Sequence, residues 1–215
     1  MPANSLFDES LSDWVNSDVV VTAATAESLF AYFWQSPLFR WQDANNDCED
    51  RANAACMLLD QWRVPNYKAW VFGGQYLRRG YGNLINFWNY HVATCLPVMV
   101  DHRLQFLVLD PATLSAPATI EQWAEGVTGT AFSYHLVKRG DYYIFPSGDI
   151  QRDNWHRRDR RNYKWTIQGL SGINGVSRTG KAQVMFHKAR IQKVEREFRK
   201  LWIVRPEIPG IDLYK

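Results

Sequence analysis

Asn45-Asn46-Asp47-Cys48-Glu49-Asp50-Arg51-Ala52-Asn53-Ala54-Ala55-Cys56 is a polar turn running into an amphipathic helix with a cysteine in its first turn. Asn46 or Asp47 can cap this helix, and Glu49 and Asp50 fall where carboxylates suit the unpaired backbone amides of the first turn. Cys48 thus sits at a positive helix end, where N–H groups and the helix dipole favour thiolate over thiol and can hold an oxyanion. That arrangement suits a nucleophile. A plainer reading stands beside it: Cys48, Ala52, Ala55, Cys56, Leu59 and Trp62 share one helical stripe, and a small buried apolar residue is what cysteine most often is. Glu49 and Asp50 also count against an easily ionised thiol.

Downstream, Val64-Pro65-Asn66 breaks the helix, and Tyr67-Lys68-Ala69-Trp70-Val71-Phe72 has the pattern of a strand closed by Gly73-Gly74. Gln75 to Asn86 form a glycine-rich loop with Arg78-Arg79, of a length that often carries function. The β-branched and aromatic run from Phe87 to Leu96, a turn near Asp101-His102 and the run Leu104 to Asp110 predict a β-hairpin. Pro111 ends it, and Thr119-Ile120-Glu121-Gln122-Trp123 opens a short capped helix. Phe132 to Phe145 supply one or two further strands around Arg139-Gly140-Asp141. Upstream, Ser5 to Ser17 are irregular or a short helix, and Thr25-Ala26-Glu27-Ser28 reads as a cap leading into Leu29-Phe30-Ala31-Tyr32-Phe33-Trp34, which ends at Pro37.

A nucleophilic cysteine needs a base within hydrogen-bond reach, and the base needs a third group to orient it. His91 and Asp110 can form that pair. If the hairpin loop has an even number of residues, Val100 faces Arg103, and His91 and Asp110 share a face one diagonal step apart. An odd loop, or a bulge at Pro97, would put them on opposite faces. Taken singly, His91 reads as a core or surface histidine and Asp110 as a strand-end residue before proline. In the order Cys48, His91, Asp110 they form a candidate triad.

These residues carry a resemblance. Asp47-Cys48-x-x-Arg51-Ala52, Trp70-Val71-x-Gly73, Trp88-x-Tyr90-His91-Val92-Ala93, Asp110-Pro111 and Tyr143-x-x-Pro146-Ser147 occur in the order and at about the spacing of the bacterial protein-glutaminase family. The block Trp88 to Ala93 is the most specific of them. Over residues 40 to 150 the chain resembles that family, whose fold looks like a transglutaminase core. The resemblance implies an α+β fold with a papain/transglutaminase-like core, in which the cysteine helix packs on an antiparallel sheet carrying the histidine and aspartate. It implies an enzyme that deamidates glutamine side chains of a protein or peptide through a thioester and releases ammonia. Cys48 would be the nucleophile, His91 the acid/base and Asp110 its orienting partner; Trp70, Trp88 and Tyr90 would wall the cleft, and neither metal nor organic cofactor would be needed. The chain departs from the family in three respects: Asn53 stands where a second histidine is common, the secretion signal and disulfides are missing, and the residues from Gln151 on lie outside the match.

Composition sets the frame. The chain has 215 residues, 46% hydrophobic and 14% aromatic, enough for a substantial core. It lacks both a long apolar run and the basic-then-apolar order of a secretory leader, and its three cysteines, Cys48, Cys56 and Cys95, suit a reducing compartment; a soluble cytoplasmic protein is the expectation. Cys56 and Cys95 read as packing residues, and a metal site from Cys48, His91 and Cys95 would lack a fourth ligand. Charge is divided: residues 1–149 hold 9 Lys/Arg against 16 Asp/Glu, and residues 150–215 hold 16 against 6, within a net +3. The divisions expected are an N-terminal helical scaffold (1–39), the catalytic core (40–150) and a basic extension (151–215). In that extension an arginine-rich, aromatic-interleaved stretch (Arg152 to Trp165) precedes a Gly/Ser-rich linker (Gly169 to Gly180). A long helix follows, with Val184, His187, Ile191, Val194, Phe198 and Leu201 on its apolar stripe.

Other functions fit parts of this pattern. A transglutaminase or thiol protease would share the acyl-enzyme and differ in substrate amide or acceptor. A nucleic-acid-binding module could use Arg152 to Trp165, although a basic face folded back on the acidic front half is the simpler account. The tail could instead dock an acidic partner of the enzyme. A pseudoenzyme kept for binding is disfavoured by the presence of all three triad positions.

Overall fold

The computed structural model describes residues 20–41, 48–72, 90–129, 133–138, 155–173 and 185–210. In chain order these form β1 (Val21–Thr22), α1 (Ala23–Gln35), α2 (Cys48–Gln61), β2 (Tyr67–Phe72), β3 (His91–Val100), β4 (Arg103–Leu109), β5 (Ala118–Thr119), α3 (Ile120–Thr128), β6 (Ser133–Lys138), α4 (Trp155–Leu170) and α5 (Lys188–Ile203). Antiparallel pairing runs β5-β4-β3-β2-β6, and the short β1 lies parallel to the far end of β3. The loop Gln75 to Asn86 and the turn at Arg139 to Asp141 lie outside the described residues, as does the N-terminal stretch Ser5 to Ser17.

The β3–β4 hairpin sets the register. Its loop is Asp101-His102 alone, with Val100 opposite Arg103 and both loop residues at positive φ (47° and 60°). This is the left-handed geometry that lets a two-residue turn follow the twist of its strands. Pro97 causes no slip: its pairing with Phe106 continues the β4 ladder. On the other edge of β3 it falls between Cys95, the last residue paired with β2, and Val98, the first paired with β1. A missing donor is tolerated in such a gap.

Alternation along the strands then separates two cores. Tyr67, Ala69, Val71, Ala93, Cys95 and Val108 pack with Ile120, Trp123, Ala124 and Val127 of α3. On the opposite face Leu96, Val98 and Leu109 meet α1, α2, α4 and α5 in a larger cluster that includes Phe33, Phe39, Leu58, Trp62, Ile167, Leu170 and Phe198. Residues from the front, middle and back of the chain therefore share one core. The helix boundaries follow from local chemistry. α1 is capped by Thr22, three residues before the expected Thr25, whose hydroxyl instead donates to Pro209 O at 3.0 Å. α2 closes with Arg63 at φ 61° and a Val64 N–H to Leu59 O bond of 2.8 Å, ahead of Pro65. Thr119 and Gln122 form a reciprocal capping box on α3.

The basic segment departs from its sequence reading. Residues from Trp155 form α4, which runs through Gly169, a position expected in a linker. Glycine there reflects close packing, since a Cβ would collide with the Asp50 carboxylate of α2. The α4 hydroxyl of Thr166 accepts from Asn53 Nδ2 at 2.8 Å, and Asn53 Oδ1 accepts from Lys68 Nζ at 2.9 Å, so a wholly buried polar chain ties sheet, α2 and α4 together. α5 is held by Phe198, fully buried, and by the Trp62 indole donating to Leu201 O at 3.1 Å. Ile191, Val194 and Leu201 are partly buried against the same core; His187 precedes the helix, and Val184 lies outside the described residues. Truncating Phe198 to alanine is expected to lower unfolding free energy by about 3–5 kcal/mol, measured by urea denaturation. A loss under about 1 kcal/mol would mean that α5 is peripheral to the core.

Candidate active site

The expected triad residues all lie at element ends on one rim of the sheet. Cys48 is the first residue of α2, His91 the first of β3, and Asp110 follows the last residue of β4. Because β3 and β4 are antiparallel, the start of one adjoins the end of the other. The register Thr94 to Leu109 places Asp110 one step beyond the last pair, across from Ala93 and diagonal to His91. α2 lies on β3 with Thr94 Oγ1 donating to Ala52 O at 3.2 Å, which brings its N-terminus to the same rim.

There, Cys48, His91 and Asp110 line one narrow pocket with Trp41, Arg51, Val92 and Ala112, among others. Its volume is about 10 Å³, the room of roughly one water molecule. All three side chains are buried, at 6%, 1% and 3% exposure.

His91 Nε2 and Asp110 Oδ2 are 2.8 Å apart. Asp110 also accepts hydrogen bonds from the Thr113 hydroxyl, from Trp123 Nε1 at 3.0 Å and from the Ala112 N–H at 3.3 Å. Burial by itself would raise its pKa. The His91 charge and the His91, Thr113 and Trp123 hydrogen bonds outweigh burial and hold the carboxyl below its ordinary value. The Trp123 ring also flanks the imidazole, with centroids 5.6 Å apart.

Cys48 behaves otherwise than its helix position suggests. Burial pushes its pKa well up, and the charge and hydrogen bond of Glu49 push it further; the Val92 N–H and the Arg51 charge act the opposite way. Its thiol lies 3.3 Å from Glu49 Oε2. The dipole advantage of a helix start is overridden because this sulfur has lost its water and gained a carboxylate neighbour. The expected capping residues Asn46 and Asp47 lie outside the described residues.

Of the aromatic residues expected at the cleft, Trp70 and Tyr90 are described. Trp70 is wholly buried behind Cys48, packed with Ala52 and Val92. It supports Cys48 from below and is not among the residues lining the pocket. Tyr90 is half-buried against Trp70 and Phe72, at ring distances of 5.5 and 6.3 Å, and Trp88 lies outside the described residues. Trp41, Thr113 and Trp123 were not singled out by the sequence reading. Thr113 could have been found from Asp110-Pro111-Ala112-Thr113, a strand-end turn whose fourth residue can bond back to the aspartate; Trp123 carried no signal beyond its helix. Arg51 is anchored by Nε to Phe39 O at 2.9 Å and a terminal nitrogen to Arg40 O at 3.2 Å, under the Trp41 ring. Among the described residues, no three His, Cys, Asp or Glu side chains are grouped to hold a metal ion, and no helix is long and apolar enough to cross a membrane.

Comparison with known proteins agrees with the resemblance. Residues 26–127 match a glutamine-deamidase family model described as Glutaminase. This segment is glutaminase-like. The match covers just under half of the chain and contains Cys48, His91 and Asp110. The fold is similar to that of protein-glutaminase from Chryseobacterium proteolyticum, at 23% identity and a TM-score of 0.55, covering 75% of this chain and 94% of that one. A second protein-glutaminase structure aligns at 22% identity and a TM-score of 0.52 over 70% of this chain and 90% of its own. A structure of pro-protein-glutaminase gives the same identity and TM-score but is covered over only 59% of its length. No curated protein matches. The glutaminase-like core is thus a mixed α+β fold.

The lowered Asp110 pKa makes a linkage prediction. A carboxyl with a depressed folded-state pKa adds stability above its unfolded value, about 3.9, and that stability is lost as pH falls through the folded value. Asp110→Asn is expected to be less stable than the parent by about 1–3 kcal/mol at pH 7. The difference should shrink below about pH 4. A gap independent of pH in urea titrations would show that the Asp110 charge does not support the fold.

Proposed function

We propose that the protein is a cysteine hydrolase that deamidates glutamine side chains in a protein or peptide substrate. The observation that carries this reading is the convergence of Cys48, His91 and Asp110 on one pocket, within the segment that matches the Glutaminase model. We read the core as transglutaminase-like, with the cysteine helix laid on the antiparallel strands that bear the other two residues.

In the proposed reaction His91 takes the Cys48 thiol proton, and the sulfur attacks the glutamine carboxamide carbon. Asp110, engaged through Nε2, fixes the ring so that Nδ1 serves the reacting atoms, and it supports the imidazolium. The Val92 N–H, which points at Cys48 Sγ, would steady the developing thiolate. His91 then protonates the leaving nitrogen, the C–N bond breaks, and ammonia departs from a thioester. Water, deprotonated by His91, attacks the thioester; glutamate leaves and the thiol is restored.

Purified protein on a glutamine-containing peptide is expected to release ammonia without chain cleavage and with little amine incorporation. Cys48→Ala should reduce release to background, and Asp110→Asn should lower kcat by about 10²- to 10⁴-fold. Cleavage without ammonia would make the protein a thiol protease, and dominant amine incorporation a transglutaminase.

A further inference from the structure

We infer that Glu49 is a latch on the nucleophile: in the resting protein its carboxylate takes the hydrogen bond of the Cys48 thiol, keeping the sulfur protonated until bound substrate displaces it. The inference rests on Cys48 being the nucleophile. A thiol has a single hydrogen, and here it is directed to Glu49 Oε2 at 3.3 Å, so it is not offered to His91. The pocket holds room for about one water, so a carboxamide reaching the sulfur must rearrange what surrounds it. Glu49 is the neighbour able to give way. Cys48, Asp50, Arg51 and Ala52 around it in the first turn are buried, whereas Glu49 is half-exposed. Its side chain can swing into water without opening the core.

The other charged groups near the sulfur would not take over this role. Arg51 on the same helix favours the thiolate, and Asp50 is turned inward against Gly169 of α4. From the sheet, His91 of β3 and Asp110 beyond β4 are bonded to each other, and Lys68 of β2 is bonded to Asn53 a turn farther along. When substrate displaces Glu49, the thiol proton passes to His91, Asp110 balances the new charge, and the same proton later leaves with ammonia. Unstimulated thiol chemistry is thereby suppressed between turnovers.

The test is the pH dependence of Cys48 alkylation by iodoacetamide, resolved by peptide mass spectrometry, in the parent protein and Glu49→Gln, with ammonia release from a glutamine peptide measured in parallel. Glutamine keeps the size and reach of the side chain and removes its charge. The alkylation profile of E49Q should move to lower pH, with several-fold faster labelling at pH 7. Cys56 and Cys95, both fully buried, should stay unlabelled in each protein and so report an intact fold. Coincident Cys48 profiles overturn the latch, even if Cys48→Ala abolishes ammonia release. A shifted profile with no ammonia from either protein supports the latch while removing the glutaminase reading.

Discussion

The two-residue turn at Asp101-His102 is the constraint on which the site depends. Strand side chains alternate with a period of two, so a hairpin loop longer or shorter by one residue would move Asp110 to the face opposite His91. Holding two non-glycine residues at positive φ carries a conformational cost, offset by a ladder that runs unbroken from Val100–Arg103 to Thr94–Leu109. The turn lies at the far end of the hairpin from His91 and Asp110, yet it decides whether they meet. Once they do, the remaining acceptor capacity of the Asp110 carboxylate is filled by Thr113, Trp123 and the Ala112 amide. A buried carboxylate with that many donors has one orientation, and it hands the same orientation to the imidazole.

The back of the chain is joined to the same construction. Lys68 is a fully buried lysine on a central strand, an arrangement that would be costly without partners. Asn53 faces it from α2, and Thr166 of α4 completes the relay to Asn53. Because Asn53 lies just over one turn beyond Cys48, this relay and the Gly169–Asp50 contact fix how α2 rests between sheet and C-terminal helices. Proteins with a histidine at the Asn53 position would need a different set of contacts here; an amide suits this position because it accepts from Lys68 Nζ and donates to the Thr166 hydroxyl at the same time.

How much of this was legible in the sequence varies with the range of the interaction. The strand Tyr67–Phe72, the hairpin, its turn and the α3 cap were readable because each is written in residues a few positions apart: alternation, an Asp-His pair between strands, a Thr with a Gln three residues later. The extent of α4 was not. Its arginine-rich beginning reads as solvated or as a ligand-binding stretch, and Gly169 reads as a break, whereas the helix is selected by packing against α2, an interaction more than a hundred residues distant. Trp70 shows the same limit from the other side. The block around it puts Trp70 near the candidate site, but only the pairing of Trp70 with Val92 and its packing against Ala52 show that its ring lies under α2.

A helix beginning is a favourable place for a thiolate, but also for a carboxylate, and at Cys48-Glu49 the two share it. Glu49 suits the first-turn amides for the same reason the sulfur would, and its negative charge then acts against ionisation of its neighbour. Burial works in the same direction, since Cys48 has exchanged water for Ala52, Trp70 and Val92. What favours ionisation is the Arg51 guanidinium and the Val92 amide. The resting balance lies with the neutral thiol; in the proposed latch, the energy needed to generate a nucleophile would be supplied when substrate replaces Glu49 and the proton moves to an imidazole already held by Asp110. Under that proposal, coupling ionisation to binding would confine the reactive sulfur to the moment when a carboxamide lies beside it.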